Sequence, residues 1–150
     1  MNYPGRRKGH SAVVYKTSMV MFGGQVHDGE GTNLTFLYDF NKAFWDKIAP
    51  SPDLPKLDSH SAFMIDEVMY VYCGFKDKEA VYSNNIYALD MRSRTWSTFY
   101  QPDKTAVVPE ARGNMGLVVY KDSILVFGGT NGVKTLNDMW KFDLKTKTWS

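Results

Sequence analysis

The sequence predicts an all-β protein assembled from three copies of one four-stranded antiparallel unit. The first observation is that distinctive residues recur three times in the same order, at intervals of about fifty residues. The second is that short segments rich in Val, Phe, Tyr and Trp alternate with Lys, Asp, Asn, Ser and Gly, without a helical spacing. Both observations favour repeated strands and turns over a helical fold.

Four positions define each copy: a histidine position, a glycine pair, an aspartate and a tryptophan. In chain order they are His10, Gly23-Gly24, Asp39 and Trp45 in the first copy, His60, Cys73-Gly74, Asp90 and Trp96 in the second, and Met115, Gly128-Gly129, Asp143 and Trp149 in the third. The sequence therefore divides into units at residues 4–50, 55–101 and 109–150.

Each unit is predicted to contain four strands, a to d in chain order, and the spacings indicate how these strands are connected. The histidine position precedes the first glycine position by 13 residues in every copy (10 to 23, 60 to 73, 115 to 128), and Asp precedes Trp by 6 (39 to 45, 90 to 96, 143 to 149). These constant spacings predict tight hairpins that join a to b and c to d. The b-to-c and d-to-a connections vary in length, and alternate connections of an up-and-down sheet emerge at the same end. We call this end the variable-loop face.

The repeated pattern resembles the Kelch repeat over essentially the whole chain. It reads Arg-x-x-His-Ser-Ala-Val, then apolar residues with Phe-Gly-Gly, then Asn-Asp-x-Trp-x-Phe-Asp and a Trp six residues later. The resemblance implies that each copy is one blade of a Kelch β-propeller, with strand a nearest the central axis. Three departures are local: Leu57 stands where the other copies have Arg7 and Arg112, Met115 replaces His, and Cys73 replaces Gly.

Three blades are too few to close a propeller. Closed propellers have about four to eight blades, and about fifty residues per blade puts the smallest near 200 residues, whereas this chain has 150. We therefore expect a partial propeller, either a segment of a longer protein with six or so blades or a homodimer of two chains paired head to tail. In both cases each end blade exposes an apolar face that normally packs on a neighbour.

Composition excludes several classes of protein. Lys and Arg number 18 against 16 Asp and Glu, and the resulting net charge of +2 lacks the concentrated positive field of a nucleic-acid binder. One cysteine, Cys73, excludes an internal disulfide, and the three histidines show no zinc-ligand spacing. Apolar runs such as residues 68–73 are far shorter than a membrane span. We expect a cytoplasmic protein with no bound metal, no cofactor, and no contact with membrane or nucleic acid.

No catalytic constellation stands out in the sequence. His10 and His60 occupy equivalent positions of two copies and have no carboxylate at ligand spacing, so a structural role is expected for both. The glycine pairs lack the following Lys and helix of a phosphate-binding loop. We therefore predict a protein that is not an enzyme. The alternative is a propeller part of a larger enzyme, such as a Kelch-containing phosphatase or a sugar- or copper-dependent enzyme.

The predicted function is a protein-interaction module that presents the b-to-c and d-to-a loops to a peptide or protein, as a substrate adaptor or regulatory domain. In Kelch domains similar to this one, ligands meet residues after the glycine pair and near the Arg of the d-to-a segment. The resemblance places these at Gln25, Lys76 and Thr130, with Arg7 and Arg112. The complete candidate set on the variable-loop face is Arg7, Gln25, His27, Lys76, Arg112, Thr130, Asn131 and Lys134.

Overall fold

A computed structural model describes residues 3–150, and its regular structure is three four-stranded antiparallel sheets and one small three-stranded sheet. The strands are β1 (Ser11–Tyr15), β2 (Ser18–Phe22), β3 (Thr35–Asp39), β4 (Phe44–Ile48), β5 (Leu57–Asp58), β6 (Ser61–Ile65), β7 (Val68–Tyr72), β8 (Phe75–Lys76), β9 (Val81–Tyr82), β10 (Ile86–Asp90), β11 (Thr95–Tyr100), β12 (Gly116–Tyr120), β13 (Ser123–Phe127), β14 (Met139–Asp143) and β15 (Thr148–Trp149). Among the described residues, the only helical element is one 3-10 turn at His27–Gly29.

The three large sheets are the predicted blades. Blade 1 has the strand order β1-β2-β3-β4, blade 2 has β6-β7-β10-β11, and blade 3 has β12-β13-β14-β15. In each blade, strand a pairs with b, b with c, and c with d, always antiparallel. The prediction of three four-stranded blades in an unclosed propeller is confirmed.

The constant spacing from Asp to Trp has a local cause in the c-to-d turn. The Asp39 carboxylate accepts hydrogen bonds from the backbone N–H groups of Asn41 and Lys42, at 2.9 and 3.0 Å. Asp90 and Asp143 accept the same two bonds in blades 2 and 3. Each aspartate thus satisfies turn amides that would otherwise lack partners, which fixes the length of the turn.

The glycine pair is required because the backbone of the next blade passes close to it. Gly23 has a φ of +69°, and a Cβ there would lie 2.6 Å from the Leu57 carbonyl oxygen and 2.8 Å from the His60 ring. In blade 2 the same position is Cys73, with a φ of +62°, and the facing residue of the next blade is Met115, which belongs to the same buried cluster. Cys73 and Met115 both depart from the repeat, and both lie at the junction of blades 2 and 3. The cysteine that replaces glycine therefore faces methionine instead of histidine.

The two hydrophobic cores lie between blades rather than within them. At the junction of blades 1 and 2, the ring of Trp96 packs on Phe22 with centroids 4.8 Å apart, and its Nε1 donates a hydrogen bond to Thr35 Oγ1 at 3.1 Å. At the junction of blades 2 and 3, Trp149 packs on Tyr72 with centroids 5.1 Å apart. The d-strand tryptophan of one blade thus docks on the aromatic residue that precedes the glycine position of the previous blade. The two tryptophans therefore fill the space between adjacent blades.

Within the described residues 3–150, the outer faces of blades 1 and 3 have no such neighbour. Phe127, which occupies the position of Phe22 and Tyr72, is 56% exposed, and Val118 and Met139 beside it are also exposed. The chain exposes 8499 Å² of surface, whereas a compact protein of 17.1 kDa exposes about 7,750 Å². The excess is consistent with the expected uncovered end faces.

His60 is a structural residue of the first junction. Its Nε2 and the Ser11 hydroxyl of blade 1 lie 2.9 Å apart and share a hydrogen bond. Burial, reinforced by the nearby His10, lowers the pKa of His60 from 6.5 to about 4. The folded protein therefore holds this imidazole neutral near pH 7.

This burial predicts that acid weakens the fold. The folded pKa of His60 lies below its unfolded value, so its contribution is fully present above pH 6.5 and is lost as the pH falls toward 4. We expect the free energy of unfolding, measured with urea, to fall by about 2 kcal/mol from this group between pH 8 and pH 5. The variant His60→Met, which copies Met115, should remove this part of the pH dependence. An unchanged slope in the variant would contradict the assignment.

The junction contact of Trp96 predicts a stability difference between two equivalent tryptophans. Trp96→Ala should lower the free energy of unfolding by about 3–5 kcal/mol, because it leaves a cavity against Phe22 and removes the hydrogen bond to Thr35. Trp45→Ala, at the same repeat position on the uncovered face of blade 1, should cost less than half as much in the same urea titration. Equal losses would show that packing at the blade junction does not determine how much Trp96 stabilises the fold.

Candidate functional site

The variable-loop face has the same backbone scaffold in every blade. The residue after the glycine pair pairs on one side with the segment before strand a and on the other with the segment before strand c. In blade 2 this arrangement is the small sheet β5-β8-β9, and in blades 1 and 3 it consists of single bridges centred on Gln25 and Thr130. Loops of different length are therefore held at both ends by backbone hydrogen bonds.

The register of this scaffold corrects one predicted equivalence. Phe75, not Lys76, pairs with Asp58 and Tyr82 in the position that Gln25 and Thr130 occupy in their blades. The Phe75 ring packs edge-on against Tyr82, with centroids 5.3 Å apart. The prediction named the charged residue Lys76, whereas the equivalent position of blade 2 is the aromatic residue Phe75, one residue earlier in the sequence.

A cleft of about 750 Å³ opens on this face between blades 1 and 2. One wall is the d-to-a segment of blade 1, residues 52–56, and the other is the b-to-c loop of blade 2, residues 76–79. Asn85, Tyr87 and Thr98 of blade 2 also line it. The nearly buried Tyr87 accepts a hydrogen bond from Asn85 Nδ2 at 3.2 Å, so this part of the cleft is both aromatic and polar.

Two contacts tie a loop of blade 1 to the walls of the cleft. Asp77 Oδ2 accepts a hydrogen bond from the Gly31 N–H at 3.1 Å, and Lys56 Nζ forms an ion pair with Glu30 at 2.5 Å. Other charged side chains of the cleft make no hydrogen bond or ion pair with any residue in the described range 3–150. These are Asp53, Lys76, Lys78 and Glu79. The walls are thus fixed while charges of both signs remain available to a ligand.

Each of the two arginines of the candidate set contacts residues of its own blade. Arg7 Nη1 donates to the Gly23 carbonyl at 3.0 Å, and its guanidinium lies over the Phe36 ring. Arg112 is 0% exposed, so its side chain is not available to a ligand on the variable-loop face. Its Nη1 donates to the Gly128 carbonyl at 2.9 Å, and both terminal nitrogens donate to the Asp138 carboxylate at 2.6 and 2.8 Å.

The Arg112 pair also has an electrostatic consequence. The guanidinium holds the pKa of the Asp138 carboxyl well below its usual range, and a hydrogen bond from Trp140 Nε1 at 2.7 Å acts in the same direction. In blade 2, the position of Arg112 is taken by the fully buried Leu57. The arginine position of the repeat is therefore interior in blades 2 and 3, whereas Arg7 in blade 1 is half-buried.

The remaining candidates fall into separate groups. Gln25 Nε2 donates to Asp58 across the first junction at 3.1 Å. The loop of blade 3 is held by Glu110, which accepts from Asn131 Nδ2 at 2.6 Å and pairs with Lys134 at 3.0 Å. Thr130 Oγ1 donates to the Lys134 carbonyl, and His27 is exposed in a shallow hollow beside Arg7. The eight candidates thus do not form one site, and only Lys76 lines the cleft.

The sequence analysis missed the wall formed by residues 52–56. This segment carries Pro52 and Pro55, which restrict the backbone of a d-to-a loop, and that spacing was the only local signal.

Within residues 3–150, no three His, Cys, Asp or Glu side chains come together as metal ligands. The described part of the chain also has no helix that is long and apolar enough to cross a membrane.

The buried Arg112 predicts a stability defect rather than a binding defect. Arg112→Leu should lower the free energy of unfolding by about 2–4 kcal/mol, because Asp138 and the Gly128 carbonyl lose their partner. Arg6→Leu, at an exposed position beside Arg7 in blade 1, should change it by about 0.5 kcal/mol or less. Adding Asp138→Asn should recover part of the loss, since blade 2 combines Leu57 with Asn85. A tolerated Arg112→Leu would contradict the structural role.

Comparison with known proteins agrees with this geometry. Residues 4–150 match the KLHDC2/KLHL20/DRC7 Kelch-repeats domain. The chain is 27% identical to human Kelch domain-containing protein 3 over 97% of this chain and 40% of that protein. It is 29% identical to human host cell factor 2 over 94% of this chain and 20% of that protein, and 26% identical to tip elongation aberrant protein 3 of Schizosaccharomyces pombe over 96% and 16%. The chain thus spans two fifths or less of these relatives, and it belongs to the KLHDC2/KLHL20/DRC7 Kelch-repeat family.

Proposed function

We propose that the chain is a protein-interaction module that binds a peptide segment of a partner protein in the cleft between blades 1 and 2. The observation that carries this proposal is the set of charged side chains without partners in the described chain, placed on walls that are already fixed. Lys76 and Lys78 lie on one wall and Asp53 on the other. Because β8 and the contacts at Asp77 and Lys56 hold the backbone of the walls before binding, little backbone entropy is lost when a ligand enters.

The chemistry of the cleft supports binding more than catalysis. Its lining offers amines, carboxylates, amides and the Tyr87 ring, but neither histidine nor thiol. A peptide could form hydrogen bonds with Asn85 and Gln101 and ion pairs with Lys78 and Glu79, while an apolar side chain packs on Tyr87. Membership of the Kelch-repeat family favours the same interpretation.

The proposal includes a cellular context. A domain of this kind serves as the substrate-recruiting or regulatory part of a larger assembly, since a binding cleft on a rigid scaffold supplies recognition without chemistry. A cytoplasmic location also belongs to the proposal. Cys73 is a free, buried thiol, which fits a reducing compartment.

A selection from a displayed random-peptide library against the immobilised chain would test the cleft. We expect selected peptides to bind the Lys76→Glu/Lys78→Glu variant at least about tenfold more weakly than the unchanged chain, because two positive charges of one wall are reversed. Glu79→Lys should affect the same peptides in the opposite direction. Affinity would be measured by fluorescence anisotropy.

The matched control for this test is Lys42→Glu, a charge reversal in the c-to-d turn of blade 1. It should leave the affinity unchanged, and all three variants should keep melting temperatures within a few degrees, since exposed substitutions usually cost about 0.5 kcal/mol or less. Equal weakening by Lys42→Glu, or full affinity in the Lys76→Glu/Lys78→Glu variant, would refute binding in the cleft.

A further inference from the structure

We propose that the partner segment binds blade 2 by strand addition: it pairs with the open edge of β11 and continues into the cleft. Its basic side chain lies beside Asp53, and its acidic side chain lies beside Lys76 and Lys78. This inference rests on the proposed function and makes it more specific, because it names the backbone groups that hold the segment and the charges that the segment carries.

β11 is the outer edge strand of blade 2, and its sequence permits pairing. The strand order β11-β10-β7-β6 leaves one side of β11 without a neighbouring strand in the described residues 3–150. Its six residues, Thr95–Tyr100, include no charged side chain and no proline. The edge strand of blade 1 instead carries a charged pair, Asp46 and Lys47. Charges on an edge strand hinder the addition of another strand, so β11 is the more receptive of these two edges.

The backbone groups of β10 alternate between the two strands on either side of it. Just after β10, the N–H of Met91 donates to the Glu67 carbonyl at 2.9 Å. Just before β10, the Asn85 carbonyl accepts from the N–H of Cys73 at 3.4 Å. Both contacts point toward β7, and so do the backbone groups of the odd-numbered residues of β10 between them. The even-numbered residues of β10 therefore bond to β11.

The alternation continues in β11. Ser97 pairs with the even-numbered residue Ala88, so its backbone groups face β10. The N–H and C=O groups of Trp96 and Thr98 consequently point away from β10, and no backbone group of another segment in the range 3–150 bonds to them. The edge thus offers two donors and two acceptors at the spacing that an added strand uses.

This open stretch of the edge ends at Phe99. The pairing with β10 shifts register there, and the Phe99 carbonyl accepts a hydrogen bond from Lys147 Nζ of blade 3 at 3.0 Å. The same ammonium lies 4.3 Å from the centroid of the Phe99 ring. A segment paired with Trp96 and Thr98 therefore leaves the edge at this point, and the space open to it is the cleft on the side of blade 1.

The cleft lies directly beside this edge and carries its charges in a fixed order. A hollow of about 50 Å³ is lined by Asp53 and by residues 96–98 of β11. Asp53 and Thr98 also line the cleft of about 750 Å³, whereas Lys76 and Lys78 line only the cleft. A segment that follows β11 passes Asp53 first and the two lysines farther along. Charge complementarity therefore assigns it a basic side chain and then an acidic one, in the direction of β11.

Hydrogen exchange followed by nuclear magnetic resonance tests the strand pairing. The probe is the tightest-binding peptide selected from the displayed library. Saturation with this peptide should slow exchange of the Trp96 and Thr98 amides by about tenfold or more, because each gains a hydrogen bond. The Ser97 amide already bonds to β10, so it is the internal control and should change much less. Unchanged exchange at Trp96 and Thr98 would overturn strand addition.

A proline at position 98 tests the same contact through affinity. Thr98→Pro removes an outward N–H but no hydrogen bond of the blade, and Thr98→Val is the matched control that also lacks the hydroxyl but keeps the N–H. Thr98→Pro should bind the selected peptide about tenfold more weakly than Thr98→Val in fluorescence anisotropy. Circular dichroism melts would show that both variants are folded, and the exchange measurement on the unchanged chain does not depend on either variant.

A charge swap tests the order of charges in the segment. Asp53→Lys should weaken binding of the selected peptide, and replacing the basic residue of the peptide by Glu should restore affinity for this variant. Failure of the swapped peptide to recover affinity would contradict the position assigned to the basic side chain.

The outcomes separate this inference from the proposed function. If the Lys76→Glu/Lys78→Glu variant loses affinity while Thr98→Pro binds as tightly as Thr98→Val, binding in the cleft stands and strand addition is wrong. If no peptide is selected, or if the selected peptides bind the lysine double variant with full affinity, both the proposed function and strand addition are overturned.

Discussion

The docking of a d-strand tryptophan on the aromatic residue of the preceding blade is the interaction on which this structure depends. A single blade is one sheet with two apolar faces, and it has no core of its own. Trp96 on Phe22 and Trp149 on Tyr72 create the two cores by joining blades in pairs. The glycine position is a consequence, because blades held this closely leave little room for a side chain beside His60. Stability in this fold is therefore mainly a property of neighbours.

This division leaves the loops free to carry function. The aromatic residues that form the blade junctions lie on the strands, whereas the b-to-c and d-to-a loops are attached through backbone pairing at Gln25, Phe75 and Thr130. Backbone pairing tolerates changes of side chain and of loop length between the paired positions. The scaffold can thus keep its geometry while Lys78 and Glu79 present charges that the fold does not use. This is the usual arrangement for recognition on a rigid framework.

The sequence predicted the blades well because repeat spacing reports directly on strand pairing and turn length. The burial of Cys73 follows from the same repeat, since a residue in a glycine position has little space around it. The prediction failed at Arg112, because the burial of a guanidinium depends on Asp138, which lies 26 residues away at a position where the other copies have Leu34 and Asn85. The cleft was only partly predictable: Lys76 was identified, but residues 52–56 lie beside it because the following strand β5 pairs with β8, which the sequence pattern did not reveal.

A double-mutant cycle on Phe22 and Trp96 tests the central claim most directly, because it measures the coupling across the blade junction apart from other effects of each substitution. The free energy of unfolding would be measured for the unchanged chain, Phe22→Leu, Trp96→Leu and the double variant. The account predicts a coupling energy of about 1 kcal/mol or more, as found for packed aromatic pairs, and a much smaller value for Phe127 and Trp149, which belong to different faces of blade 3. A coupling energy near zero for Phe22 and Trp96 would contradict it.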